Sequence, residues 1–152
     1  MNYRISIVLL CILVALAGIL IHVTRNNAVD PISSSVKSLK IADTLVEVEV
    51  ADTDSARQQG LSGREQLNPG TGMLFIFENS NLYGFWMKDM KFAIDIIWLD
   101  ANMRVVHVES DVRPDTYPQT FTPVSPAQYV LEVPAGFAIE KGLEIGDSAE
   151  LF

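Results

Sequence analysis

The chain has 152 residues and a formal charge of −8, with all 19 acidic residues after position 24 against ten basic ones. A surface of that sign repels a phosphate backbone, and no cluster of lysine or arginine offsets it, so nucleic acid is not an expected partner. The single cysteine, Cys11, lies in an apolar stretch, which excludes disulfides and thiolate metal sites from the remainder of the chain.

From Ile5 to Val23 the sequence carries no fixed charge and is interrupted only by Ser6, Gly18 and His22. As a helix this stretch spans roughly 28 Å, about the hydrocarbon thickness of a bilayer. A short tail with Arg4 precedes it, so we expect a signal anchor: one pass through the inner or cytoplasmic membrane, with the bulk of the chain on the extracytoplasmic side. Ala15-Leu16-Ala17 also has the small-x-small form of a cleavage site, and cleavage there leaves a secreted or periplasmic product. Residues 1–24 are assigned to the membrane segment. Residues 25–37, rich in Asn and Ser with one Pro and without periodicity, form a linker. A single domain is expected over 38–152.

Within that domain Leu45–Val50 alternates strictly, with Val46, Val48 and Val50 opposed to Glu47 and Glu49, the pattern of a half-buried strand. Leu39–Ile41 can pair with it across Ala42-Asp43. Asp52 or Thr53 can cap a short helix that runs through Gln59 and stops at Gly60. Met73–Phe77 and the aromatic Tyr83–Met87 read as strands. Phe92–Leu99 is bulky enough for a strand buried on both faces, and Asp100-Ala101-Asn102 turns it into Met103–Glu109. Asp111–Ala127 carries four prolines and reads as a long loop. Gln128–Val133 is again a strand, Ala135–Lys141 a helical turn closed by Gly142, and Ser148–Phe152 a last strand. The expected fold is mostly β, a compact sandwich or barrel of about seven strands with one or two short helices, preceded by the N-terminal transmembrane helix.

Several groups of residues carry a resemblance. They are Arg57-x-x-Gly60-Leu61-Ser62-x-Arg64, Gly72-Met73-Leu74-Phe75-x-Phe77, Phe85-Trp86-Met87-Lys88 and Asp95-Ile96-Ile97-x-Leu99-Asp100. Val130-Leu131-Glu132-Val133-x-Ala135-Gly136 and Gly142-x-x-x-Gly146-Asp147 follow in order. Together they resemble domain-of-unknown-function family 192 over roughly residues 40 to 152. Ser62 stands where methionine is common in that family, and Asp89-Met90 where asparagine and threonine are usual. The resemblance implies a compact β-rich domain, often exported, and no particular reaction.

Six residues are candidates for chemistry. Asp95 interrupts an otherwise uncharged run, so its carboxylate is either an acid or base with a raised pKa or a structural acceptor of turn amides or arginines. Alternation sets Trp86 and Lys88 on one side of their strand, an aromatic platform beside a cation that suits a sugar or a carboxylate. The alternative makes Trp86 core and Lys88 a snorkelling end. Arg57 and Arg64 flank Gly60 and can clamp an anion or pin the loop. Glu132 points opposite to Leu131 and Val133 and can complete an acid–base pair with Asp95 or simply face water. His107 is the one histidine after the membrane segment, Met87 and Met90 read as core filler, and no metal or other cofactor is expected.

The leading functional expectation is a binding or accessory module for a small ligand, an envelope glycan or a protein partner. The alternatives are an acid–base hydrolase or lyase using Asp95 with Glu132 or Lys88, and a structural domain without its own ligand.

Overall fold

The computed structural model describes residues 35–152. The expected membrane segment at 5–23 and nearly all of the linker lie outside the described residues. Among the described residues no helix is long and apolar enough to cross a membrane.

The described residues form nine strands in chain order: β1 (Val36–Ile41), β2 (Thr44–Ala51), β3 (Thr71–Asn81), β4 (Phe85–Trp86), β5 (Ile94–Leu99), β6 (Val105–Val112), β7 (Thr120–Phe121), β8 (Ala127–Pro134) and β9 (Ala149–Leu151). Among the described residues two short helices accompany them, α1 (Asp54–Gln59) and α2 (Phe137–Lys141), with a 3-10 turn at Pro114–Thr116. Seven strands make one sheet in the order β6-β5-β8-β3-β2-β1-β9, while β4 and β7 pair separately. The mostly β expectation holds, and the choice between sandwich and barrel resolves to a single sheet curled into a half-barrel. Its two terminal strands approach at one corner, where Arg104 bridges Ser148 and Val105 N donates to the Asp147 carbonyl at 2.8 Å.

Only β2 and β3 run parallel, and a parallel pair needs a crossover. The segment holding α1 supplies it. Thr53 Oγ1 caps α1 by accepting from Ala56 N at 3.1 Å. Gly60 ends it at φ 50, where an added Cβ would sit 3.3 Å from Phe75 Cζ.

The sheet is apolar on both sides, as a sheet covered on both faces must be. On the concave face Ile41, Val48, Leu74, Ile97, Leu131 and Val133 pack into one core. Leu151 of β9 and Val105 of β6 join that same core from the two ends of the sheet, as curling requires. On the convex face Met73, Phe75, Ile96, Trp98 and Val130 pack beneath Leu61 and Met87 from the covering loops. β5 is buried at every position, in line with the bulky run that predicts it.

Two expectations change. Tyr83–Met87 does not add a strand to the main sheet. Tyr83 stacks on Phe77 and its carbonyl accepts the Trp98 indole N–H at 2.9 Å, which holds the chain off the sheet and leaves only Phe85–Trp86 to pair with β7. The proline-rich stretch is partly structured: β6 continues to Val112, and Thr120–Phe121 supplies the partner strand.

Candidate functional site

Asp95 is fully buried on the concave face, opposite Val133 of β8. Its Oδ1 accepts the amides of Asp111 at 2.9 Å and Gly136 at 3.1 Å, and Oδ2 accepts that of Ala138 at 2.8 Å. Gly136 is the N-cap of α2 and has no side chain with which to cap it. Asp95 therefore serves as that cap from 41 residues away in sequence, and it also fixes Asp111 at φ 53. Three amide donors satisfy this carboxylate inside the core.

Glu132 lies across β8 from Ile96 and Met73 and so on the convex face. The alternative in which Glu132 completes an acid–base pair with Asp95 is not realised. Asp95 faces Val133 while Glu132 faces Ile96, and the one-residue offset sends the two side chains to opposite sides of the sheet. Lys88 does not complete a pair with Asp95 either, since Lys88 is exposed and Asp95 has no exposed surface.

The surroundings of Glu132 are unusual. It is 5% exposed, and its Oε2 is buried without a hydrogen-bond partner. Burial pushes its carboxyl up to about 8, against the opposing charge of Arg64. Arg64 itself is committed elsewhere, with Nη1 and Nη2 donating to Glu49 Oε1 and Oε2 at 2.5 and 2.7 Å. That fork holds the guanidinium above its ordinary value. Glu49, Met73 and Glu132 form one cross-strand row, which places the two glutamate backbones roughly 10 Å apart. A hollow of about 240 Å³ lies beside Arg64 and Glu49, lined also by Glu47, Asn68 and Thr71. Glu132 is not part of its lining.

Arg57 fastens α1 to the sheet. Its Nη1 donates to the carbonyls of Asp52 at 2.6 Å and Ile76 at 2.7 Å, and its Nη2 donates to Asp54 Oδ1 at 2.5 Å. The guanidinium lies over the Phe77 ring, 5.3 Å from its centroid. With these partners it pins the crossover and leaves nothing directed at an anion.

Trp86 and Lys88 come together on the surface. Phe85 points inward, edge-on to Phe75 at 4.9 Å and to Trp98 at 6.0 Å, and Met87 is 1% exposed. Between these two anchors Trp86 faces out, 53% exposed, with Tyr117 edge-on to it at 5.9 Å. A hollow of about 350 Å³ opens between this turn and α1, lined by Ser55, Gln58, Gln59, Ser62, Trp86, Lys88 and Asp89. Its rim is tied together: Ser62 Oγ donates to the Lys88 carbonyl at 2.9 Å, Gly63 N donates to the Asp89 carbonyl at 2.9 Å, and Gln59 Nε2 donates to the Ser62 carbonyl at 2.9 Å. Among the described residues the Lys88 ammonium enters no ion pair or hydrogen bond. Every other lysine and arginine there except Lys37 has a carboxylate or carbonyl partner.

The structure thus joins Trp86 with Lys88 and sets Glu132 near Arg64, while Arg57 and Asp95 stand apart. Sequence reasoning missed Glu49, Gln58, Asp89 and Tyr117. A readable signal existed for Gln58, because α1 buries no residue and so presents its amides outward. Among the described residues no three His, Cys, Asp or Glu side chains gather to hold a metal ion.

Comparison with known proteins adds the following. Residues 37–151 match the family model DUF192, described as uncharacterized ACR. A UPF0127 protein from Pyrococcus abyssi is 36% identical over 108 residues, covering 68% of this chain and 84% of that protein. A UPF0127 protein from Pyrococcus horikoshii is 32% identical over 111 residues, covering 70% and 88%. Among solved structures, a Sinorhizobium meliloti protein described as a candidate transcription regulator is similar at a TM-score of 0.75 and 27% identity, over 80% of this chain and 97% of that one. A Novosphingobium aromaticivorans protein of unknown function is similar at 0.71 and 26%, over 81% and 91%.

Proposed function

We propose that this chain, which belongs to the DUF192 family, is a binding module for a small polar ligand, with its site in the hollow between α1 and Trp86–Asp89. The membrane segment at residues 5–23 presents that site on the extracytoplasmic side. The observation that carries the reading is the pairing of a half-exposed tryptophan with an unpartnered lysine in one hollow whose backbone is tied on both sides. A large aromatic face left in water forgoes burial that the adjacent Phe85 and Met87 obtain. A ligand that covers it recovers that free energy. The volume of about 350 Å³ lies in the range of small-molecule sites.

Acid–base catalysis by Asp95 draws no support from this geometry, because its carboxylate is fully engaged by backbone amides. A regulator of transcription is also disfavoured here, since the acidic excess of the chain opposes association with nucleic acid.

Amide NMR of the chain titrated with a set of small polar compounds tests the reading. Shift changes confined to Gln58, Gln59, Ser62 and Trp86–Asp89, and lost on Trp86→Ala, are expected. Changes centred elsewhere, or none across the set, would refute it.

A further inference from the structure

We propose that the ligand of the Trp86–Lys88 hollow is a pyranose sugar carrying one carboxylate, with its ring on the Trp86 face and its carboxylate on the Lys88 ammonium. This rests on the reading of the hollow as a ligand site. The argument begins from what each wall offers. Trp86 supplies an apolar face of the kind on which the C–H side of a sugar ring can lie, and it stands out from the surface with Tyr117 extending the aromatic ground beside it. The remaining lining is polar: the Gln58 amide, the Ser55 hydroxyl and the Asp89 carboxylate. Carboxylate and amide oxygens accept from hydroxyl groups, and the amide also donates. A ligand with one apolar face and many hydroxyls on its edges satisfies both sets at once. A purely apolar ligand would leave the polar rim dehydrated and unpaired, which is costly.

Lys88 then decides the charge. In a chain of net charge −8, Lys88 and Lys37 are the two lysines of the described residues without a carboxylate partner, and Lys88 is the one that lines this hollow. Lys91, three residues on, is paired with Glu65, whereas Lys88, next to Asp89 in sequence, is not paired with it. Asp89 sits at φ 57, a backbone conformation that turns the chain between the two residues. The free ammonium thus contributes three donors and a full charge to the hollow. One charge-assisted bond to an anionic ligand fits it.

Asp89 limits that anion to a single charge. A phosphate ester would bring up to two charges against one lysine, with the Asp89 carboxylate in the same hollow. A monoanionic carboxylate can reach Lys88 while the sugar hydroxyls face Asp89. Trp86 and Lys88 are two residues apart and line the same hollow, so ring and exocyclic carboxylate can engage the two together.

Titration calorimetry on the full chain, with a glucuronate-terminated disaccharide and the corresponding glucose disaccharide, tests this. The acidic sugar is expected to bind about tenfold tighter at low salt, with the advantage shrinking as salt is raised. Lys88→Gln should remove the difference between the two sugars. Trp86→Ala should abolish binding of both, and Trp86→Phe should restore part of it. Equal affinity for the two sugars, or a preference that survives Lys88→Gln, overturns the carboxylate assignment while the site stands. If neither sugar binds but other compounds in the NMR set still perturb the hollow, the sugar is wrong and the site is right. Failure of every compound to perturb it removes both.

Discussion

Glu132→Gln tests the account of the convex face most directly. The carboxyl is 5% exposed, one oxygen has no partner, and burial raises it from the ordinary 4.5 to about 8. The folded protein therefore holds this proton more tightly than the unfolded chain does. Stabilisation by that proton is complete below about pH 4.5, falls as pH rises through about 8, and is absent above it. The slope across the interval is about 1.4 kcal/mol per pH unit, and the whole effect is about 5 kcal/mol. Glutamine has nearly the same shape and no titration. Urea unfolding of both proteins from pH 5 to pH 7.5 should show the wild type losing about 3 kcal/mol relative to the variant. Comparing the two cancels the pH dependence of the other carboxylates, which both share. Parallel stability profiles over that range would mean that Glu132 ionises as freely as in water, and the burial argument would fall.

Other substitutions probe the remaining contacts. Arg64→Met removes the charge that opposes burial at Glu132, so the Glu132 carboxyl carbon should titrate above about 8 in carbon-13 NMR. Asp95→Asn replaces one acceptor oxygen with a donor group facing an amide, and thermal unfolding should show a loss of about 2 to 4 kcal/mol without any change in ligand binding. Gly72→Ala brings a Cβ within 2.7 Å of the Glu132 carbonyl, and the spreading of β3 from β8 should cost about 1 to 3 kcal/mol in urea unfolding. Trp86→Ala, in contrast, should shift the melting temperature by no more than about 3 °C, because the indole is half in water.

The strand pattern was legible because alternation is local: Val46 and Val48 do join the concave core while Glu47 stays exposed. The curl and the parallel β2–β3 pair were not legible, since they depend on which strands meet across a crossover. The same division runs through the charged residues. That Asp95 is buried follows from its neighbours Ile94 and Ile96, yet its partners lie 16, 41 and 43 residues away and no spacing announces them. Glu132 was correctly turned away from Leu131 and Val133, but whether it shares a face with Asp95 depends on the β5–β8 register, and the register separates them. Arg64 finds Glu49 by the same kind of long-range meeting.

Trp86 and Lys88 differ in kind, because they lie two residues apart, Trp86 at the end of β4 and Lys88 in the turn that follows, and need no distant partner to line one hollow. Long-range contacts have absorbed Arg57, Asp95 and Arg64 into the fold, each matched to a partner it can satisfy. The hydrogen bonds that tie Ser62 and Gly63 to the 88–89 turn use backbone carbonyls and leave the Lys88 side chain uncommitted. A fold that satisfies nearly all of its buried polar groups, yet leaves a cation and an aromatic ring side by side in water, has placed its unspent interactions where a ligand can reach them.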